Sequence, residues 1–225
     1  MNPFLNQTIA IWRKDIKIEI READHLVALF LFSLLLLVLF NFALNVEPDL
    51  MQKTAPGLFW LSVLFASVLT LERSFRRESE EGQWEGLLLQ GGDPCALYCG
   101  KVLSNLTVVW MVQLFLTPFM IFLFDLPLPL SFLGILFLGS LGVATLGTTY
   151  AGLTATLKGG EVLLPTLLFP MLVPLLLAAV QATDLTLTND LFGQKGVWVE
   201  LLILFDTVFL LGSLLGAGIL FDRGS

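Results

Sequence analysis

The chain has 225 residues, 56% of them hydrophobic and 14% charged, with a mean hydropathy of +0.85. Soluble domains carry about 25% charged residues, and the apolar runs here recur at lengths of 18 or more, so an all-α polytopic membrane protein is indicated rather than a large soluble core. The net charge of −7 excludes nucleic acid as a partner, which needs a basic face, and the two cysteines, Cys95 and Cys99, exclude a disulfide framework.

In chain order, residues 3–22 predict an interfacial helix. Leu5, Ile9, Trp12, Ile16 and Ile20 fall at steps of three or four and make one apolar stripe. Arg13, Lys14, Lys17 and Arg21 gather on a neighbouring face, where lipid phosphates attract them. Ile11 and Ile18 lie off the stripe, available to the bundle or to a partner; a simple membrane-surface anchor is an equal alternative. Six spans follow, at about 25–45, 57–71, 102–124, 131–156, 162–182 and 197–221. The first is too long for a cleavable leader and lacks a small-residue cleavage site, so it is expected to stay as an anchor.

The second span is short and is expected to extend at one end into Pro56 or Glu72. Ser140, Ala144, Thr148, Gly152 and Thr156 recur every four residues in the fourth, and Gly212 and Gly216 sit four apart in the sixth. Small residues let helix backbones approach closely in lipid, within one chain or between two. Pro165, Pro170 and Pro174 in the fifth span each remove a backbone bond, which predicts a kink. Residues 183–196 read as the largest external loop.

Charge orients the six spans. Ten of the twelve Lys and Arg residues fall on the side of the termini and only Lys53 and Lys195 on the other. Cytoplasmic loops carry the Lys/Arg excess, so both termini are expected inside.

Catalytic motifs fail on inspection. Gly100-Lys101 resembles the end of a phosphate-binding loop, but Cys95 stands where its first glycine belongs and Val102 where Ser or Thr must reach magnesium. Glu80-Glu81 resembles the paired acids of intramembrane prenyl-protein proteases, yet Glu85 occupies the place of the following arginine. His25 is the single histidine, so one chain cannot build a two-histidine metal site; beside Asp24 at a span end, it reads as structural or solvated rather than as a haem ligand. Cys95 and Cys99 match no zinc, redox or haem-attachment spacing and read as reduced thiols in a loop. No catalytic, cofactor or metal site is expected, and any ATP hydrolysis belongs to another chain.

Two features remain. Asp206 lies well inside the sixth span, where a carboxylate costs on the order of 3 kcal/mol on insertion scales. It either faces a partner or wet cavity or is a protonated packing group, and the sequence leaves both open. The second feature is the segment 72–101. Glu72, Arg73, Arg76, Arg77, Glu78, Glu80 and Glu81 carry mixed-sign charge at helical spacing. Gly82 breaks that run. Glu85, Trp84 and Leu87-Leu88-Leu89 then make a short element with apolar anchors, ended by the turn chemistry of Gly91-Gly92-Asp93-Pro94. A short helix bracketed by glycines, lying parallel to the membrane, suits a groove on a soluble ATPase; as a solvated connector it would expose Trp84 and three leucines.

At this point the chain resembles the haem exporter protein B (CcmB) family over essentially its whole length. The most specific segments are Ala55-Pro56-Gly57-Leu58-Phe59-Trp60, Leu71-Glu72-Arg73-Ser74-Phe75-Arg76, and Glu81-Gly82 with Leu87-Leu88-Leu89 and Gly100-Lys101. They continue with Thr156-Leu157-Lys158-Gly159-Gly160, Leu163-Leu164-Pro165, Phe169-Pro170 and Pro174-Leu175-Leu176. The resemblance implies a single transmembrane domain over 1–225, of the type-2 ABC exporter permease class, in a bacterial inner membrane. It implies a coupling helix between spans two and three, carried onto Glu81, Gly82, Trp84, Glu85 and Leu88. It implies a cytosolic ATPase partner, CcmA, the membrane subunits CcmC and CcmD, the haem chaperone CcmE and a second copy of the chain, with haem and ATP held by partners. The family is described as a haem exporter in c-type cytochrome biogenesis, and the job the resemblance implies is ATP-driven release of the haem-loaded chaperone. A generic type-2 permease for lipid, polysaccharide or drug, and a non-transporting scaffold relaying ATPase strokes, are the alternatives.

The charge asymmetry is testable directly. Cysteines introduced near Lys53, Leu126 and Lys195 should react with an impermeant reagent in intact cells, whereas those near Arg77, Lys158 and Arg223 should react only after permeabilisation. The reverse pattern would overturn the orientation.

Overall fold

A computed structural model of the chain describes residues 3–44, 48–80, 93–127, 129–154, 160–188 and 193–221. These residues form helices α1 (Pro3–Arg21), α2 (Ala23–Leu44), α3 (Pro48–Glu80), α4 (Pro94–Phe124), α5 (Ser131–Thr154), α6 (Gly160–Leu187) and α7 (Lys195–Phe221), with no strand among them. From α2 onward, six helices are long and apolar enough to cross a membrane. An all-helical membrane fold follows from the solvent: without water in the hydrocarbon, every backbone group must bond within its own segment.

The six are not equivalent. In α3 and α5, 72% and 67% of the apolar stretch is buried within the chain, against 22% in α2 and 17% in α7. Helices α3 and α5 therefore form the centre, with α2 and α7 on the lipid side. Helix α2 shows this as a single inward row, Leu29, Ser33, Leu37 and Asn41, while Val27, Leu31, Leu35, Leu39 and Phe42 point outward.

Close approach at the centre depends on glycines of α5. A methyl group at Gly139 would strike the Trp60 indole, and one at Gly147 would strike Leu71, both on α3. Trp60 is held in place because its Nε1 donates to Thr183 Oγ1 of α6 at 3.0 Å. On the next strip of α5, Asn105 Nδ2 donates to Thr148 Oγ1 at 3.0 Å, and the Tyr98 hydroxyl meets the Thr145 carbonyl at 3.1 Å. Ser140, Ala144 and Thr148 are fully buried, so the four-residue stripe packs within the chain up to that point, and Thr156 lies outside the described residues. Gly212 and Gly216 have open space beside them.

The helix limits differ from the sequence expectation in three places. Helix α3 extends beyond 57–71 at both ends rather than one. Its start at Pro48 uses a residue whose missing N–H is harmless in a first turn, and Gln52 Nε2 reaches the Asp125 carbonyl at 3.4 Å. Helix α4 begins at Pro94, not at 102, because Asp93 and Pro94 act as N-cap and first residue as well as ending the preceding segment. Cys95 and Cys99 consequently lie in a helix instead of a loop. Helix α6 runs through Pro165, Pro170 and Pro174 to Leu187, so Thr183 and Asp184 are helical and the proposed external loop 183–196 shrinks.

The Trp60 contact generates a stability test. Gly139→Ala should destabilise the fold by about 1–3 kcal/mol, the usual scale for overpacking. Gly147→Ala should cost less, since a leucine can re-orient where a hydrogen-bonded indole cannot. Gly134→Ala, with open space around it, should be neutral or slightly stabilising. Unfolding midpoints in detergent give the order.

Candidate functional site

The segment expected to dock on an ATPase is flanked by the end of α3 and the start of α4, and both flanks are tied down. At the start of α4, Asp93 accepts from the Cys95 N–H at 2.9 Å, and its own N–H donates to Gln7 Oε1 of α1 at 3.2 Å. Two turns further, Lys101 is only 2% exposed. Its ammonium lies 2.9 Å from Asp15 Oδ2 of α1, and 3.3 Å and 3.4 Å from the carbonyl and hydroxyl oxygens of Ser74 on α3. One cation thus joins α1, α3 and α4 within a turn or two of where the segment leaves and returns. A buried lysine is tolerable only with such partners, since an uncompensated charge there costs several kcal/mol.

Around this lysine the same end is closed by shorter contacts. Arg73 of α3 pairs with Glu22 at the α1–α2 elbow, and His25 Nδ1 lies 2.6 Å from Glu19 Oε1. His25 is thereby a link between α1 and α2.

Helix α1 is docked rather than merely resting on lipid. The Thr8 hydroxyl is shared between the Phe4 carbonyl at 3.0 Å and the Ala96 carbonyl at 3.3 Å, and Trp12 Nε1 donates to Thr107 Oγ1 at 3.0 Å. Ile11 packs on Gly100, where a Cβ would come within 2.8 Å of it. Of the two residues off the apolar stripe, Ile11 therefore meets the bundle. Leu5 and Ile20 of the stripe itself are 49% and 57% exposed. The helix has two working faces: Thr8, Ile11 and Asp15 toward α4, and the outer apolar residues away from it.

The expected coupling residues Glu81, Gly82, Trp84, Glu85 and Leu88 lie outside the described residues. Asp206 is described. It sits on α7 against Gly142 of α5 and Leu175 of α6, whereas Lys101 joins α1, α3 and α4, so the two candidate features are separate sites. Asp15, Thr8 and Gln7 were missed by sequence reasoning, because a search for an apolar stripe passes over polar residues. The available signal was an acidic residue one helical turn from Ile11, on the same face, with a lone lysine opening an apolar run elsewhere. Among the described residues no group of three or more His, Cys, Asp or Glu side chains is placed to hold a metal.

The family model described as "CcmB protein" matches residues 6–215. Relatives named "Heme exporter protein B" include that of Escherichia coli K12, 32% identical over 77% of this chain and 80% of that one. The Pseudomonas aeruginosa protein is 30% identical over 76% of this chain and 78% of its own. The Haemophilus influenzae protein is 26% identical over 83% and 86% respectively.

Breaking the junction has an asymmetric consequence. Lys101→Met should destabilise by about 3 kcal/mol, because the buried Oδ2 of Asp15 is left without its cation. The double variant Asp15→Asn with Lys101→Met should recover most of that loss. Protease cleavage at Arg13, Lys14 or Lys17 should rise in the single variant and fall back in the double one.

Proposed function

This chain belongs to the CcmB family, and from that premise we propose that it is the permease subunit of a haem-export ABC complex serving c-type cytochrome biogenesis. It is a multi-pass inner-membrane protein with both termini in the cytoplasm, one transmembrane domain over 1–225 and no catalysis of its own. ATP is hydrolysed by a CcmA-type subunit. CcmC and CcmD are membrane neighbours, a second copy of the chain completes the permease, and haem reaches the complex on the chaperone CcmE.

The observation that carries this reading is the anchoring of both flanks of residues 81–92 to one rigid junction. A docking element pushed by an ATPase moves a membrane domain only if the push is not absorbed by loose connections. Here Ser74 before the segment and Lys101 after it share a buried ammonium, and Asp93 is tied to Gln7. The thrust is delivered to α1, α3 and α4 together. Glu81, Gly82, Trp84, Glu85 and Leu88 are the residues we assign to the docking element itself. Close packing of Trp60, Leu71 and Leu175 onto α5 supports a relay, in which the stroke releases the haem-loaded chaperone, over passage of haem through the bundle.

Trp84→Asp with Leu88→Asp removes apolar anchors, each worth roughly 1.5–3 kcal/mol if fully buried on docking. The ATPase subunit should then wash off membranes while the permease still inserts. Unchanged recovery of the ATPase in a pull-down would defeat the docking assignment, and co-purification of a lipid-linked substrate in place of the haem chaperone would favour a generic exporter.

A further inference from the structure

Asp206 of α7 is 5% exposed, and neither carboxyl oxygen has a hydrogen-bond partner among the described residues. Its Oδ1 faces Gly142 of α5. A Cβ on that glycine would lie 2.6 Å from Oδ1, and 2.6 and 2.7 Å from the two Leu175 methyl groups of α6. The carboxyl therefore occupies a cradle that exists because position 142 has no side chain, walled by an aliphatic residue.

No counter-charge comes from the helices packed on α7. Helix α5 has no charged residue, and Tyr150 is its one titratable group. On α4 the groups are Cys95, Tyr98, Cys99 and Lys101, the last engaged by Asp15 and Ser74. On α6, Glu161 and Asp184 stand about 21 and 13 Å along the helix from Leu175, at ~1.5 Å per residue. On α7 itself, Lys195 is bonded to Ser131, and Glu200 is exposed on another face. A carboxylate ion seated at Gly142, 5% exposed, would have neither donor nor cation among the described residues, so the neutral acid is the form the closed packing accommodates.

We propose that Asp206 is a membrane-embedded proton-binding site, loaded when α7 seats against α5 and α6 and emptied to water when that packing opens. The proton adds to the carboxylate on closure and returns to solvent on opening, with no other bond changed. Acid favours the seated helix and alkali the open one. This stands on the geometry of α7 alone and is independent of the haem reading.

Two measurements on the full chain in liposomes test it. Infrared spectra should show a protonated-carboxyl C=O band at neutral pH that is absent in Asp206→Asn and lost in alkali. If the difference between the wild-type and Asp206→Asn spectra holds only carboxylate bands, the site is overturned. For the link to packing, Leu202→Cys places a thiol one turn away at a fully buried position, in a background with Cys95→Ser and Cys99→Ser. In alkali its modification by a maleimide should be several-fold faster with Asp206 than with Asp206→Asn, and equal in acid. A rate ratio unchanged between the two pH values would overturn the linkage.

Discussion

Close backbone contact along α5 is the constraint on which the bundle depends. Lipid tails are as apolar as leucine, so helices gain little by hiding hydrophobic side chains from one another; dispersion and interhelical hydrogen bonds must hold them. Both require short distances. Gly139 and Gly147 admit Trp60 and Leu71 from α3, and Gly142 admits Leu175 from α6 and Asp206 from α7. One helix with gaps at these three glycines thus sets the positions of three others.

Polar bonds add direction to this packing. Trp60 to Thr183, Asn105 to Thr148 and Tyr98 to the Thr145 carbonyl each link two helices at a defined height. Slipping a helix by one turn would leave such groups unpaired in a medium that offers no replacement. Charge plays the same part at the end that holds Lys101. There the Lys101 junction and the Arg73–Glu22 pair gather α1, α2, α3 and α4, while at the opposite end Gln52 bonds the Asp125 carbonyl and Lys195 the Ser131 hydroxyl.

Much of this architecture was legible in the residues. Apolar run length located the six spans, because hydrocarbon thickness is a one-dimensional constraint that a sequence displays openly. The small-residue stripe on the helix holding Ser140, Ala144 and Thr148 was legible for the same reason. Boundaries were less so. Lys53 and Pro56 looked like the edge of a span, yet α3 continues through them, since a polar residue at the headgroup level does not end a helix. Thr183 looked like loop, and only the Trp60 indole reveals why it is inside. The Asp15–Lys101 pair was illegible because it joins residues far apart in the chain, and neither residue alone announces the other. The seat of Asp206 was legible as a buried acid but not as a cradle, which depends on a glycine of another helix.

The docking of α1 on α4 bears on the order of synthesis. Thr8 and its partner carbonyl at Ala96 are separated by 88 positions, so the first helix leaves the ribosome long before its seat exists. Two spans must be threaded before Lys101 can meet Asp15. During that interval Leu5, Ile9 and Ile20 give α1 a place to wait on the bilayer surface, with the nearby arginines and lysines at the headgroups. The outer apolar stripe is thus a parking face for biogenesis as well as an anchor in the finished protein. Arrival of α4 then converts a helix adsorbed on lipid into one locked to the bundle, which makes closure of the amino-terminal junction a late event of assembly.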